Sequence, residues 1–295
     1  MVNLLFLIMP FLFANDLQNW DDAIEKTQKE TFRVETFAEG FDIPWGMAFL
    51  PNKDLIVSDR NGNLWRIEYK SKIKTKISGV PKVRYKGQGG LLDIEAHPDF
   101  INNNFLYISF SDYLQGNQNK SFTSIFRFKL QENKLIDKKI IFQANNKFYS
   151  RSNIHYGIRM VFDKNRYLYF SIGDRGSRDQ AQLLNYPNGK IHRLHDDGSV
   201  PMDNPFINVN NAIKSIWTYG NRNPQGLAIH PISDIIFETE HGPKGGDELN
   251  IISVGSNYGW PEITYGKNYS GTTITKHTHK EGMEQPVIHW TPSIA

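Results

Sequence analysis

The sequence contains no cysteine, which excludes disulfides, thiolate nucleophiles and cysteine-ligated zinc but leaves export open. It has little excess charge of either sign. Thirty-four basic against 31 acidic residues leave a formal net charge of +3, too small an imbalance to mark a nucleic-acid binder. Long apolar runs are scarce as well. The one that stands out, LLFLIMPFLF at residues 4–13, is about as long as a signal-peptide core and too short to span a bilayer. No Lys or Arg precedes it, and a lipid-facing anchor or a buried first strand are the alternatives. We expect a cleaved signal over residues 1–14, a helical or disordered polar lead-in over 15–30, and export to a periplasm or the medium. No later segment reads as transmembrane.

Long helical periods are missing too, and what replaces them is a repeat. Four segments share one order: a Gly, an apolar strand closed by a turn, a second apolar strand ending on Asp or Glu, then a third strand. They are GMAFLPNKDLIVSDRNGNLWRI from Gly46, GLLDIEAHPDFINNNFLYISFSD from Gly90, GIRMVFDKNRYLYFSIGD from Gly157 and GLAIHPISDIIFETEHG from Gly226. Five or six residues rich in Ile, Val, Phe and Tyr, broken by Asn, Asp, Gly or Pro, are the pattern of short antiparallel strands. Units of three or four such strands, recurring at roughly 40 to 70 residues, predict an all-β β-propeller over residues 31–295. An irregular sandwich of look-alike hairpins is the competing reading.

In a propeller, residues at equivalent places in successive blades converge on one mouth of the channel. The places at or just before each repeat Gly hold Gln88, His155 and the pair Arg222 and Asn223. A neutral imidazole suits a general base near pH 7, and the fixed fork of an arginine suits carboxylates and developing oxyanions. Downstream, HGPKGGDELN supplies exposed carbonyls and acidic side chains, the oxygen donors a hard cation prefers.

Nine stretches then carry a resemblance: IPWGMAFLP, GQGGLLDIEAHPDF, HYGIRMVFD, YLYFSIGDRG, GSVPMDNPF, YGNRNPQGLAIHP, EHGPKGGDELN, NYGWP and GKNYSG. Together they resemble the soluble glucose/sorbosone dehydrogenase family, and within it the bacterial periplasmic aldose sugar dehydrogenases that use pyrroloquinoline quinone (PQQ). The resemblance implies a six-bladed propeller with PQQ over the channel mouth, calcium, an aldose substrate, an unspecified electron acceptor and a monomer or homodimer. It implies that His155 is the general base, with Asp174 as its acidic partner. Arg222 would contact PQQ and stabilise charge on the quinone oxygens, and Asn223, Gln88 and Tyr269 match further cofactor contacts. The carbonyls of Gly242 and Pro243 resemble those that hold calcium beneath PQQ. The Glu248 carboxylate and Tyr258 carbonyl resemble a structural calcium site. His241 stands where some relatives have Gln and receives no role.

The sequence stops at TPSIA, where a fifth repeat would bring its own Gly. Against six blades, the expectation is an incomplete propeller of about four blades and an N-terminal strand, a fragment or a degenerate protein that binds PQQ weakly or not at all. Two other functions stay open. One is a calcium-dependent sugar lactonase, against which the converging Gln, His and Arg argue; the other is a noncatalytic carbohydrate- or protein-binding propeller.

Overall fold

The computed structural model describes residues 23–26 and 29–294. The expected signal therefore lies outside the described residues. The chain divides into two compact units, Met1–Gly40 and Phe41–Ala295. In the first, β1 (Ala23–Lys26) pairs antiparallel with β2 (Thr31–Val34). A strand thus stands in the lead-in read as helical or disordered, and β2, assigned to the propeller from sequence, belongs with it.

The second unit is built from four four-stranded antiparallel sheets, one for each repeat. The first comprises β3 (Pro44–Phe49), β4 (Leu55–Asp59), β5 (Asn63–Ile67) and β6 (Lys74–Ile77). β7 (Leu91–Ala96), β8 (Phe105–Leu114), β9 (Asn117–Gln131) and β10 (Lys134–Gln143) form the second, with one helical turn, α1 (Phe100–Asn103), after β7. The third holds β11 (Met160–Phe162), β12 (Tyr167–Ile172), β13 (Lys190–His195) and β14 (Ile216–Tyr219). The fourth holds β15 (Pro224–Ile229), β16 (Ile236–Glu240), β17 (Asp247–Ile252) and β18 (Ile288–Trp290). Each sheet meanders in sequence order, as the blades of a propeller do. The fold is the all-β arrangement expected, four blades of a six-bladed type.

The core lies between the sheets, which explains why the inner strands read as apolar runs rather than strict alternations. Successive residues face neighbouring blades. Leu91 and Ile108 pack between blades one and two, while Leu92 and Tyr107, one residue away, pack between blades two and three. A third cluster around Tyr169, Ile191, Leu227 and Ile252 joins blades three and four. Among the described residues no helix is long and apolar enough to cross a membrane.

A hydroxyl on the second strand of blades one, two and three holds the start of the inner strand. Register shifts interrupt β3 and β7 near their starts, so one backbone N–H there loses its ladder partner, and in blade three the N–H concerned belongs to Arg159, one residue before β11. Ser58 Oγ accepts from Gly46 N at 2.9 Å and Ser109 Oγ from Asp93 N at 2.7 Å. Ser171 Oγ accepts from Arg159 N at 3.1 Å and donates to Pro224 O of the next blade at 2.9 Å. The start of the inner strand is thereby anchored in these three blades.

Candidate active site

On one rim of the propeller the loop before β11 brings His155 in with left-handed backbone (φ 51°), and Ile158, a β-branched residue, is left-handed too (φ 78°). Such conformations cost about 1–3 kcal/mol each and persist only where neighbours enforce them. The neighbours are visible. Gln88 Oε1 accepts from His155 N at 2.6 Å, and Asn223 Oδ1 accepts from Gly157 N at 3.1 Å. Arg175 lies against the Tyr156 ring and donates to Ser152 O at 2.8 Å and to Ile154 O, fixing the segment that leads into His155. Gly173 has no room for a side chain, since an added Cβ would sit 2.5 Å from His155 O.

His155 Nδ1 is 2.7 Å from Asp174 Oδ1. Asp174 is buried at the turn after β12, its Oδ1 also accepting from Gly176 N at 2.7 Å and its Oδ2 from Trp260 Nε1 at 2.8 Å. An acceptor-only carboxylate at Nδ1 holds the tautomer that leaves Nε2 bare, which is the form a general base needs.

Arg222 and Asn223 enter from the connection between β14 and β15. Asp174 N donates to Arg222 O at 2.7 Å, which joins this segment to the His155 pair. The Arg222 guanidinium is buried, lies 5.4 Å from the Trp260 ring centroid and donates to His241 O at 2.7 Å, while its Nε has no hydrogen-bond partner. A buried guanidinium with an unused donor suits an anion.

Beside Arg222 is a small cavity with space for about one water-sized particle. Gly242, Pro243, Glu248 and Tyr258 all line it, so the four residues proposed for calcium meet at one place, with Glu240 as a fifth. Glu240 and Glu248 face each other across β16 and β17, and Glu238 faces Asn250 one step along. Burial, then the charge of Glu248, pushes the Glu240 carboxyl up to about 8, and burial pushes Glu248 up to about 7. Glu238 rises as well, through burial and then Glu240. Glu238 Oε1 and Asn250 Oδ1 have no partner. Crowded carboxylates with unused oxygens fit a hard cation. Among the described residues no three His, Asp or Glu side chains converge in metal-binding geometry, so a cation here would take backbone carbonyls as well.

Gln88, His155, Asp174, Arg222 and Asn223 are thus brought together, although the carboxamide oxygens of Gln88 and Asn223 hold backbone. Tyr269 stands further out, 74% exposed on a loop whose Asn268 Oδ1 accepts from Arg178 at 3.2 Å. The sequence reading missed Trp260, Glu240 and Arg175. All three lie inside motifs it quoted, NYGWP, EHG and GDRG, but nothing in their spacing announces a partner.

One rim of the propeller thus carries a His–Asp pair, a buried guanidinium and an oxygen-lined cavity. The model of the glucose/sorbosone dehydrogenase family matches residues 41–295, and the chain belongs to that family. Aldose sugar dehydrogenase YliI of Escherichia coli is 41% identical over 270 residues, covering 90% of this chain and 72% of that protein. Quinoprotein glucose dehydrogenase B of Acinetobacter calcoaceticus is 31% identical over 280 residues, 86% of this chain and 57% of that protein. The apo form of the soluble E. coli aldose sugar dehydrogenase superposes with a TM-score of 0.83 at 39% identity, over 88% of this chain and 75% of that one. The PQQ-bound aldose sugar dehydrogenase of Streptomyces coelicolor gives 0.73 at 32%, over 87% and 70%.

Proposed function

We propose that the chain is a PQQ-dependent oxidoreductase that oxidises the anomeric hydroxyl of an aldose to the lactone, with calcium as its second cofactor. PQQ, when bound, supplies the hydride acceptor. The observation that carries the reading is the His155 Nδ1 contact with buried Asp174, joined through Asp174 N and Arg222 O to an arginine whose Nε has no partner.

In this reading His155 Nε2 takes the hydroxyl proton, and Asp174 steadies the imidazolium that results. Arg222 binds an anionic oxygen of the cofactor and favours charge developing there. Asn223 and Gln88 hold the backbone around His155, and Tyr269 borders the cofactor from its exposed loop. Glu248 and the Tyr258 carbonyl, with the carbonyls of Gly242 and Pro243, would hold calcium, which would supply positive charge there. The apolar run at residues 4–13 supports an exported, periplasmic location.

The test is sugar-dependent dye reduction on adding PQQ and Ca²⁺ to the protein. His155→Ala should abolish turnover at any measurable rate while leaving PQQ-induced absorbance changes in place. Turnover that survives this change, or lactone hydrolysis without PQQ, would overturn the assignment.

A further inference from the structure

We propose that Trp260 is a positioning residue for the His155–Asp174 pair, acting through its indole N–H on the carboxylate oxygen that His155 does not use. This deepens the oxidoreductase reading, but the geometry behind it stands on its own. Asp174 Oδ1 is shared by His155 Nδ1 and Gly176 N, both at 2.7 Å. That leaves Oδ2 as the handle by which the carboxylate plane could turn, and Trp260 Nε1 holds it at 2.8 Å from 86 residues downstream.

The indole is suited to this task by what it cannot do. It donates and has no acceptor, so it cannot share a proton with Asp174 or offer the imidazole a competing partner, as a hydroxyl or water could. Asp174 is left as an acceptor toward Nδ1–H, and His155 keeps Nε2 bare.

Trp260 is itself held rigidly. It is buried, its backbone N donates to Gly220 O at 2.8 Å, and its carbonyl accepts from Gln182 Nε2 at 2.8 Å. Gln182 and Asn257 exchange amide hydrogen bonds at 2.9 and 2.8 Å, locking the turn before Trp260 to the 3₁₀ turn after Asp174. The guanidinium carbons of Arg222 and Arg178 lie 5.4 and 5.6 Å from its ring centroid. One ring therefore touches both the partner of the base and the anion-binding arginine.

The experiment removes the N–H and keeps the ring. Trp260→Phe is the simple variant, and replacement of Trp260 by 3-benzothienylalanine, which has the shape of tryptophan and no donor, serves if the Phe variant fails to fold. In protein labelled with ¹⁵N-histidine, the wild-type His155 ring at pH 8 should show one neutral tautomer, protonated at Nδ1. Both variants should show a mixture, and kcat for dye reduction should fall about tenfold with KM changed less than twofold. An unchanged tautomer in the benzothienyl variant would overturn the proposal, even if activity were lost. A tautomer shift in a protein that reduces no dye would uphold it while the dehydrogenase reading failed.

Discussion

Glu95 on β7 shows how far a single residue can be followed. Its side chain is half-buried, and burial first, then Asp93, raises its carboxyl to about 8 against the partial relief of Arg159. Between the usual carboxylate range and about pH 8 the folded protein therefore keeps a proton that the unfolded chain has released. Stability contributed by this residue is greatest at low pH and declines as pH rises through that window. Glu95→Gln should raise the melting temperature at pH 8 and leave it nearly unchanged at pH 4. Because the group is not fully enclosed, the gain should be about 1–2 kcal/mol; equal melting curves at both pH values would refute the account. At the rim, Asp174→Asn keeps the shape but lets the carboxamide present an N–H to the imidazole. Turnover should fall by about 10²–10⁴-fold with PQQ affinity little changed, as measured by dye reduction and cofactor titration.

At the scale of the element, the hydroxyls of the second strands in blades one to three anchor the inner strands. Ser171 accepts from Arg159 N, just before β11, and reaches across to Pro224 of the next blade. Ser171→Ala removes both interactions inside a fully buried site and should cost about 1–3 kcal/mol in denaturant unfolding. Loss of only a few tenths would show that the backbone finds other partners. Gly173→Ala is the companion test, because the new methyl group would press on His155 O and, at 2.8 Å, on Asn223 Oδ1. It should destabilise by about 1–3 kcal/mol and lower activity more than Ser171→Ala does, since it displaces the loop that carries His155.

For the whole molecule, the carboxylates of blade four predict a stability that responds to cations. Glu240 and Glu248, raised to about 8 and about 7, resist ionising side by side, because the charge of one opposes that of the other. Without a cation, stability is greatest at low pH and declines from the usual carboxylate range up to about pH 8. Calcium that binds only the folded form at about 100 times its dissociation constant adds about 2.7 kcal/mol. Scanning calorimetry at pH 7.5 should therefore show a rise of several degrees with Ca²⁺, a smaller one with Mg²⁺, and none in Glu248→Gln. A Ca²⁺ response that survives the substitution would move the ion elsewhere.

Much of this architecture could be read in advance because blade strands are encoded locally. Alternation decides which face of a strand meets a neighbour, and Gly, Pro, Asn and Asp mark where it turns, so four repeats of one order specified four sheets. Gln88, His155, Arg222 and Asn223 were legible for the same reason, each preceding an inner strand at an equivalent place. Trp260 and Glu240 were not, nor was the separation at Gly40 that leaves Thr31–Val34 outside the propeller unit. The indole donates to a carboxylate 86 residues away, and Glu240 holds the backbone of Asn223 at 3.1 Å from the neighbouring strand. Hydrogen bonds of that kind depend on how strands pair and how blades pack against one another. Sequence alone determined which residues face inward and where the chain turns, because those are properties of a few consecutive residues. Only the tertiary structure decided which inward groups meet in one hydrogen bond or line one cavity, because such meetings require distances of about 3 Å between segments that lie far apart along the chain.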